Sequence, residues 1–180
     1  MMLLESALSR RFDDALGHGT LSCEITGRGA MDNLVAASSR TPAHLWAVGV
    51  IGVLWNSFGC VDYSLSKLYP NTYPASVGMD AEAQAYMQAF PAWLTVFWAL
   101  GVWGSLAGSI LLLLRSRHAV LAFAVSLTGL IVSQGFEYLS GSAPASMHTT
   151  AVVATSAVIW TALVFQLWYA IRMKSAGVLR

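Results

Sequence analysis

Five side chains carry the chemistry this sequence has to offer: Asn56, Tyr63, Glu137, His148 and Thr155. Each lies in, or at the end of, a long stretch almost free of charge. Glutamate and histidine exchange protons where their surroundings allow it. A tyrosine hydroxyl, an asparagine amide and a threonine hydroxyl supply the donors and acceptors that orient a small solute. Turned at about 100° per residue as helices, the stretches gather these groups into stripes. Asn56 and Tyr63 share a face with Gly49, Gly52 and Gly59. Glu137 follows Ala119, Ala122, Ser126 and Ser133, and Thr155 lies with His148, Ala151, Ala162 and Gln166. If the helices alternate in direction, Tyr63, Glu137 and His148 come to one level, with Asn56 and Thr155 deeper.

The cost of placing such groups decides which way they face. A charge at the centre of a membrane span costs about 2.5–3.5 kcal/mol on insertion scales, so ionisable residues there turn toward an interior or a water-filled cavity. Glu137 has two readings: a protonatable group facing the bundle interior, or an acid near the interface that reaches headgroup water. Asp62 is placed off the Asn56 stripe and is expected to pair with Lys67. Glu137 and His148 alone are too few ligands for a metal, and no cofactor is implied. There is no nucleophile–base pair, phosphate loop or C-x-x-C, so the chain does not read as an enzyme.

These groups must be positioned by what surrounds them. The chain has 180 residues, 56% hydrophobic and only 11% charged, with a net charge of +1. Soluble domains carry roughly 25% charge. The near-neutral balance excludes a nucleic-acid partner, which would need a basic face. Asp, Glu, Lys and Arg are absent from 41–61, 83–114, 118–136 and 138–171. A membrane-spanning helix needs roughly 20 mainly apolar residues, and lipid forces each such segment to close its own backbone hydrogen bonds. The predicted fold is therefore an all-α membrane protein, a bundle of four transmembrane helices at about 43–66, 92–114, 118–140 and 150–171. The lipid bilayer is its first partner.

The second span ends on "LLLLRSRH", a hairpin at Arg115, Arg117 and His118 too tight to hold a domain. Basic residues collect on the cytoplasmic side. With both termini inside, Arg40, Arg115, Arg117, Arg172, Lys174 and Arg180 fall there and only Lys67 falls outside. Cytoplasmic termini follow, 172–180 being a short basic tail. Between helices in lipid, small residues allow close backbone approach. Gly49, Gly52 and Gly59 in the first span and Gly101, Gly104 and Gly108 in the second are expected to be packing seams; Trp93 and Phe97 share the second stripe.

Outside the spans, "YPNTYP" breaks the chain. After it, Asp80 is a plausible N-cap for a short interfacial helix, with Met79, Tyr86, Met87 and Phe90 on one apolar face and Pro91 at its end. Residues 1–42 read as a tail that cannot bury a core of its own, with Met31 a candidate true start. Cys23 and Cys60 fall on opposite sides of the membrane, which argues against a disulfide.

The stretches "TPAHLWAVGVIGVLWNSFGCVDY", "FPAWLTVFWALGVWGSLAGSILLLLRSRHAV" and "WYAIRMKSAGVLR" resemble a family of small, uncharacterised four-helix bacterial membrane proteins, often automatically labelled "sugar transporter". The resemblance covers 41–180 and implies small-solute, sugar-like transport; it brings no site residues with it. Trp55, Trp98, Trp103 and Trp160 are the aromatics available to stack on a sugar ring. Four helices enclose little space, so a transporter of this size implies a homodimer. The alternative is a non-transporting scaffold, an envelope-stress sensor or a partner-assisting protein. A cavity reaching Asn56 would favour transport; a filled, dry interior would favour the scaffold.

Overall fold

The computed structural model describes residues 42–141 and 143–180. All but Pro42 of the tail expected over 1–42, with the candidate start at Met31 and Cys23, lies outside them. The described chain is helical, with no strand among the described residues. Four helices are long and apolar enough to cross a membrane: α1 (Ala43–Leu68), α4 (Ala92–Leu113), α5 (Ala119–Ser140) and α6 (Thr150–Ser175). Two short helices, α2 (Tyr73–Ser76) and α3 (Ala81–Gln88), fill the connection between α1 and α4, and a 3-10 turn (Ala145–His148) precedes α6.

Helix ends follow local chemistry. Pro42 and Pro91 stand at the N-caps of α1 and α4. A proline there gives up no intrahelical hydrogen bond, because the first amides of a helix have no partner. Thr149 caps α6 by accepting from the Val152 amide. Gly141 closes α5 at φ 60°, a left-handed conformation that suits glycine. The first and last spans run further than their charge-free stretches predicted, to Leu68 and Ser175. Lys67 and Lys174 sit in their last turns, where cations favour the helix dipole. The last third of "YPNTYP" is itself helical: Tyr73–Ser76 forms one turn with Pro74 in its first turn.

Helix α4 packs between α1 and α5, and α6 packs mainly on α5. The tightest contact joins α4 to α5. A Cβ built on Gly129 would lie 2.5 Å from the Phe97 carbonyl and 2.6 Å from the Gly101 amide, so two backbones touch there. On Gly104 it would lie 3.1 Å from the Ser126 Cβ, and on Gly108 2.8 Å from the Phe123 ring. Ser126 fastens the same seam by donating its hydroxyl to the Gly101 carbonyl. Gly49 and Gly52 face Leu113 and Ser109 of α4. Gly59 stands more freely, with its nearest neighbour at 3.9 Å.

The apolar core lies at the hairpin end of the bundle, around Leu45, Leu112, Phe123, Tyr169 and Met173. Val178 and Leu179 belong to it. The last residues are therefore docked: the Arg180 amide donates to the Arg115 carbonyl at 2.8 Å and the Arg117 amide to the Arg180 carbonyl at 2.9 Å. This contact holds the hairpin, where Arg115 has a φ of 58°.

Candidate functional site

The opposite half of the bundle is not filled. A cavity of about 480 Å³ lies among α1, α4, α5 and α6, bordered by Trp55, Asn56, Asp62, Trp98, Glu137 and Thr155 among others. Its size falls within the range of small-molecule sites.

Asn56 forms its floor. The Asn56 amide donates to the Ser109 hydroxyl at 2.8 Å, to the Gln166 side-chain oxygen at 3.1 Å and to the Ser105 carbonyl at 3.2 Å. Gly52 makes the network possible, since a Cβ there would come within 2.9 Å of the Ser109 hydroxyl. Beneath it His44 of α1 and Tyr169 of α6 are hydrogen-bonded through ring nitrogen and hydroxyl, their rings edge to face. Polar ties and the apolar core thus close the hairpin end.

The walls differ from one another. On the α5 side, Gln134 binds α6 twice, donating to Ser156 at 3.4 Å and accepting from the Trp160 indole. On the α1 side, Asn56 and His44 hydrogen-bond to α6, both on the hairpin side of the cavity. Trp55 and Phe58 border the cavity and are also 43% and 72% exposed on the surface of α1. At the loop end Met87 of α3, Phe90 just after it and Met147 of the 3-10 turn face the cavity. Helix α3 begins at Asp80, whose carboxylate accepts from the Ala83 amide at 2.7 Å, as the sequence predicted. That hydrogen bond holds the Asp80 carboxyl below the usual carboxylate range. The Tyr86 and Ser140 hydroxyls, 3.3 Å apart, connect α3 to the end of α5.

Of the five expected site residues, the cavity brings together Asn56, Glu137 and Thr155. The Thr155 hydroxyl donates back to the Ala151 carbonyl of its own helix at 2.9 Å. Tyr63 packs edge-on against Trp98, with ring centroids 4.9 Å apart, and so stands behind the wall. His148 is exposed in the 3-10 turn. Asp62 accepts from the Tyr73 hydroxyl at 2.8 Å rather than from Lys67. This bond raises the Tyr73 hydroxyl above the ordinary tyrosine range. Lys67 instead lies over the Trp98 ring, 5.1 Å from its centroid, and reaches Thr95 at 3.4 Å. The expected Asp62–Lys67 pair fails because five residues of α1 turn the two side chains about 140° apart, to different neighbours.

Gln134 and Gln166 are the polar groups that the sequence reading did not single out as site residues. Amides deep in apolar spans are themselves the signal, since in lipid they must find partners. Of the four tryptophans considered for stacking, Trp55 and Trp98 border the cavity. Trp160 is engaged with Gln134, and Trp103 is 50% exposed on the surface of α4.

The fold is an all-helical, multi-pass membrane architecture with four spans. No protein-family model matches the chain, and neither a curated protein nor a solved structure was found to resemble it.

Proposed function

We propose that this protein carries a small solute across the bacterial inner membrane, and that the cavity is its binding site. The carrying observation is the cavity itself, which reaches Asn56 in the middle of the bundle. A scaffold gains nothing from an unfilled interior, since lost packing destabilises a fold; a carrier requires one. The cavity joins aromatic faces to amide, hydroxyl and carboxylate groups, a combination suited to a solute with both apolar and polar surface. Sugar-like solutes are the first class to test, with Trp55 and Trp98 as stacking faces.

The orientation follows from charge. Arg115, Arg117, Arg172, Lys174 and Arg180 lie at the closed, hairpin end, and Lys67, Asp80 and Glu82 lie at the other. The excess of basic residues makes the hairpin end cytoplasmic. The arrangement is then an outward-facing one, closed inward by the Asn56–Gln166 and His44–Tyr169 contacts, with α3 at the outer surface. Release to the inside requires those two contacts to part, and a second copy of the chain would steady the other helices while α6 moves.

The test is uptake into proteoliposomes of a panel of labelled sugars and organic ions, wild type against Trp98→Ala. Solute accumulation above empty vesicles, lost in the variant, is the expected result. A wild-type protein that is folded, correctly inserted and inert toward the whole panel would favour the scaffold.

A further inference from the structure

The cavity opens sideways, and its polar lining has one sign of charge. Gln134 holds α6 to α5 along the outer half, whereas among the described residues the side-chain hydrogen bonds between α1 and α6 lie on the hairpin side of the cavity. Trp55 and Phe58, at the edge of the gap, lie about 18 Å and about 22 Å along a helix of about 39 Å, at 1.5 Å per residue. The hydrocarbon core is about 30 Å thick, so the gap faces lipid tails. On the opposing helix Val152 and Ile159 border the cavity and are themselves exposed. The outer end is bordered by Met87, Phe90 and Met147, apolar side chains that offer a hydrated solute no replacement for its water.

Among the described residues, the charged groups in the lining are Asp62 and Glu137, with no lysine, arginine or histidine bordering the cavity. Lys67 is on the far side of Trp98. Two carboxylates beside tryptophan and phenylalanine faces attract a cation by charge and by the ring quadrupoles together.

We infer that the cavity takes a lipid-soluble organic cation, admitted from the outer leaflet through the gap between α1 and α6. The inference rests on the transport reading and specifies its substrate class. The cation keeps its apolar body against Trp55, Phe58 and Ile159 and turns its charge toward Glu137. A water-soluble neutral sugar would have to cross hydrocarbon to use the same gap, whereas an amphiphile is already concentrated there.

Two measurements on the full chain in lipid nanodiscs test this. The first is binding of tetraphenylphosphonium and of its size-matched anion, tetraphenylborate, each corrected for empty nanodiscs. The cation binds at least tenfold more tightly than the anion, and Glu137→Gln, which keeps the side-chain shape, weakens the cation about fivefold or more. Equal binding of both ions, an unaltered Glu137→Gln variant, or binding of neutral sugars alone overturns the inference and leaves small-solute transport standing. No binding and no uptake of any of these solutes removes both. The second is a spin label on Thr155→Cys, read by collisions with oxygen, which enters lipid, and with a water-soluble nickel chelate. Access to oxygen in excess of the chelate is expected. Chelate access shows an aqueous route, and shielding from both shows a covered gap; either overturns the sideways route.

Discussion

Asn56 of α1 and Gln166 of α6, 110 residues apart in sequence, meet across the bundle, the asparagine amide donating to the glutamine oxygen at 3.1 Å. With the His44–Tyr169 contact, this hydrogen bond pins the last helix to the first on the hairpin side of the cavity. Interhelical hydrogen bonds in membranes average about 0.6 kcal/mol, with a maximum near 1.7. A double-mutant cycle with Asn56→Leu and Gln166→Leu should give a coupling in that range by reversible unfolding in detergent. Additive single effects would show that the two amides act independently, Asn56 being served by Ser105 and Ser109.

The glycine seam makes a second prediction, and it separates residues that composition treats alike. Gly129→Ala forces a methyl group against the Phe97 carbonyl and the Gly101 amide. Backbone cannot swing aside as a side-chain tip does, so destabilisation of about 1–3 kcal/mol is expected. Gly59→Ala meets only ordinary contact and gains helix propensity, for a change between zero and about 1 kcal/mol of stabilisation. Thermal unfolding of the two variants in the same detergent decides. Equal effects would mean that α4 and α5 do not touch at Gly101 and Gly129.

Asp80 supplies a pH dependence outside the spans. Its folded carboxyl is depressed by the Ala83 amide. Its contribution to α3 is therefore fully present above the unfolded carboxyl value, about 3.9, and is lost as pH falls through the folded one. Carbon-13 NMR titration should place Asp80 below about 3.9. Hydrogen-exchange protection across α3 should drop in acid for the wild type, and be low and pH-insensitive in Asp80→Ala. An Asp80 that titrates at or above the unfolded value would contradict the cap.

The docked C-terminal segment is testable by truncating Leu179, which is 6% exposed. Leu→Ala at buried sites costs about 2–5 kcal/mol, so Leu179→Ala should lower the melting temperature. Increased proteolysis between Arg115 and His118 should accompany it, because the Arg115 and Arg117 backbone groups lose a fixed partner. Unchanged cleavage would show that the hairpin stands without the tail.

Reporter fusions address the orientation. A reporter inserted in Arg115–His118, or fused after Arg180, should report cytoplasm, and one in 76–80 should report the outside. Reversed signals would turn the cavity toward the cytoplasm and overturn the route from the outer leaflet.

The sequence by itself determined the four spans, their approximate ends, the hairpin at Arg115 and the cap at Asp80. Each is a local quantity: twenty apolar residues can satisfy their backbone in lipid only as a helix, and a cap is settled within one turn. It also marked the seam partly. Gly101, Gly104 and Gly108 stood in one stripe, while their partner Gly129, three residues beyond Ser126 on the facing stripe, was passed over although it makes the closest approach to another helix's backbone. Tertiary structure alone decided which polar groups share a space. Helical wheels give the direction of a side chain from its own axis, not the neighbour it meets, so Asn56, Glu137 and Thr155 border one cavity while Tyr63 turns to Trp98 and His148 to solvent. Only the packing of α6, tied along α5 by Gln134 and to α1 through Asn56 and His44, shows where the bundle is closed and where it is open. That depends on contacts more than a hundred residues apart in sequence, which no local pattern encodes.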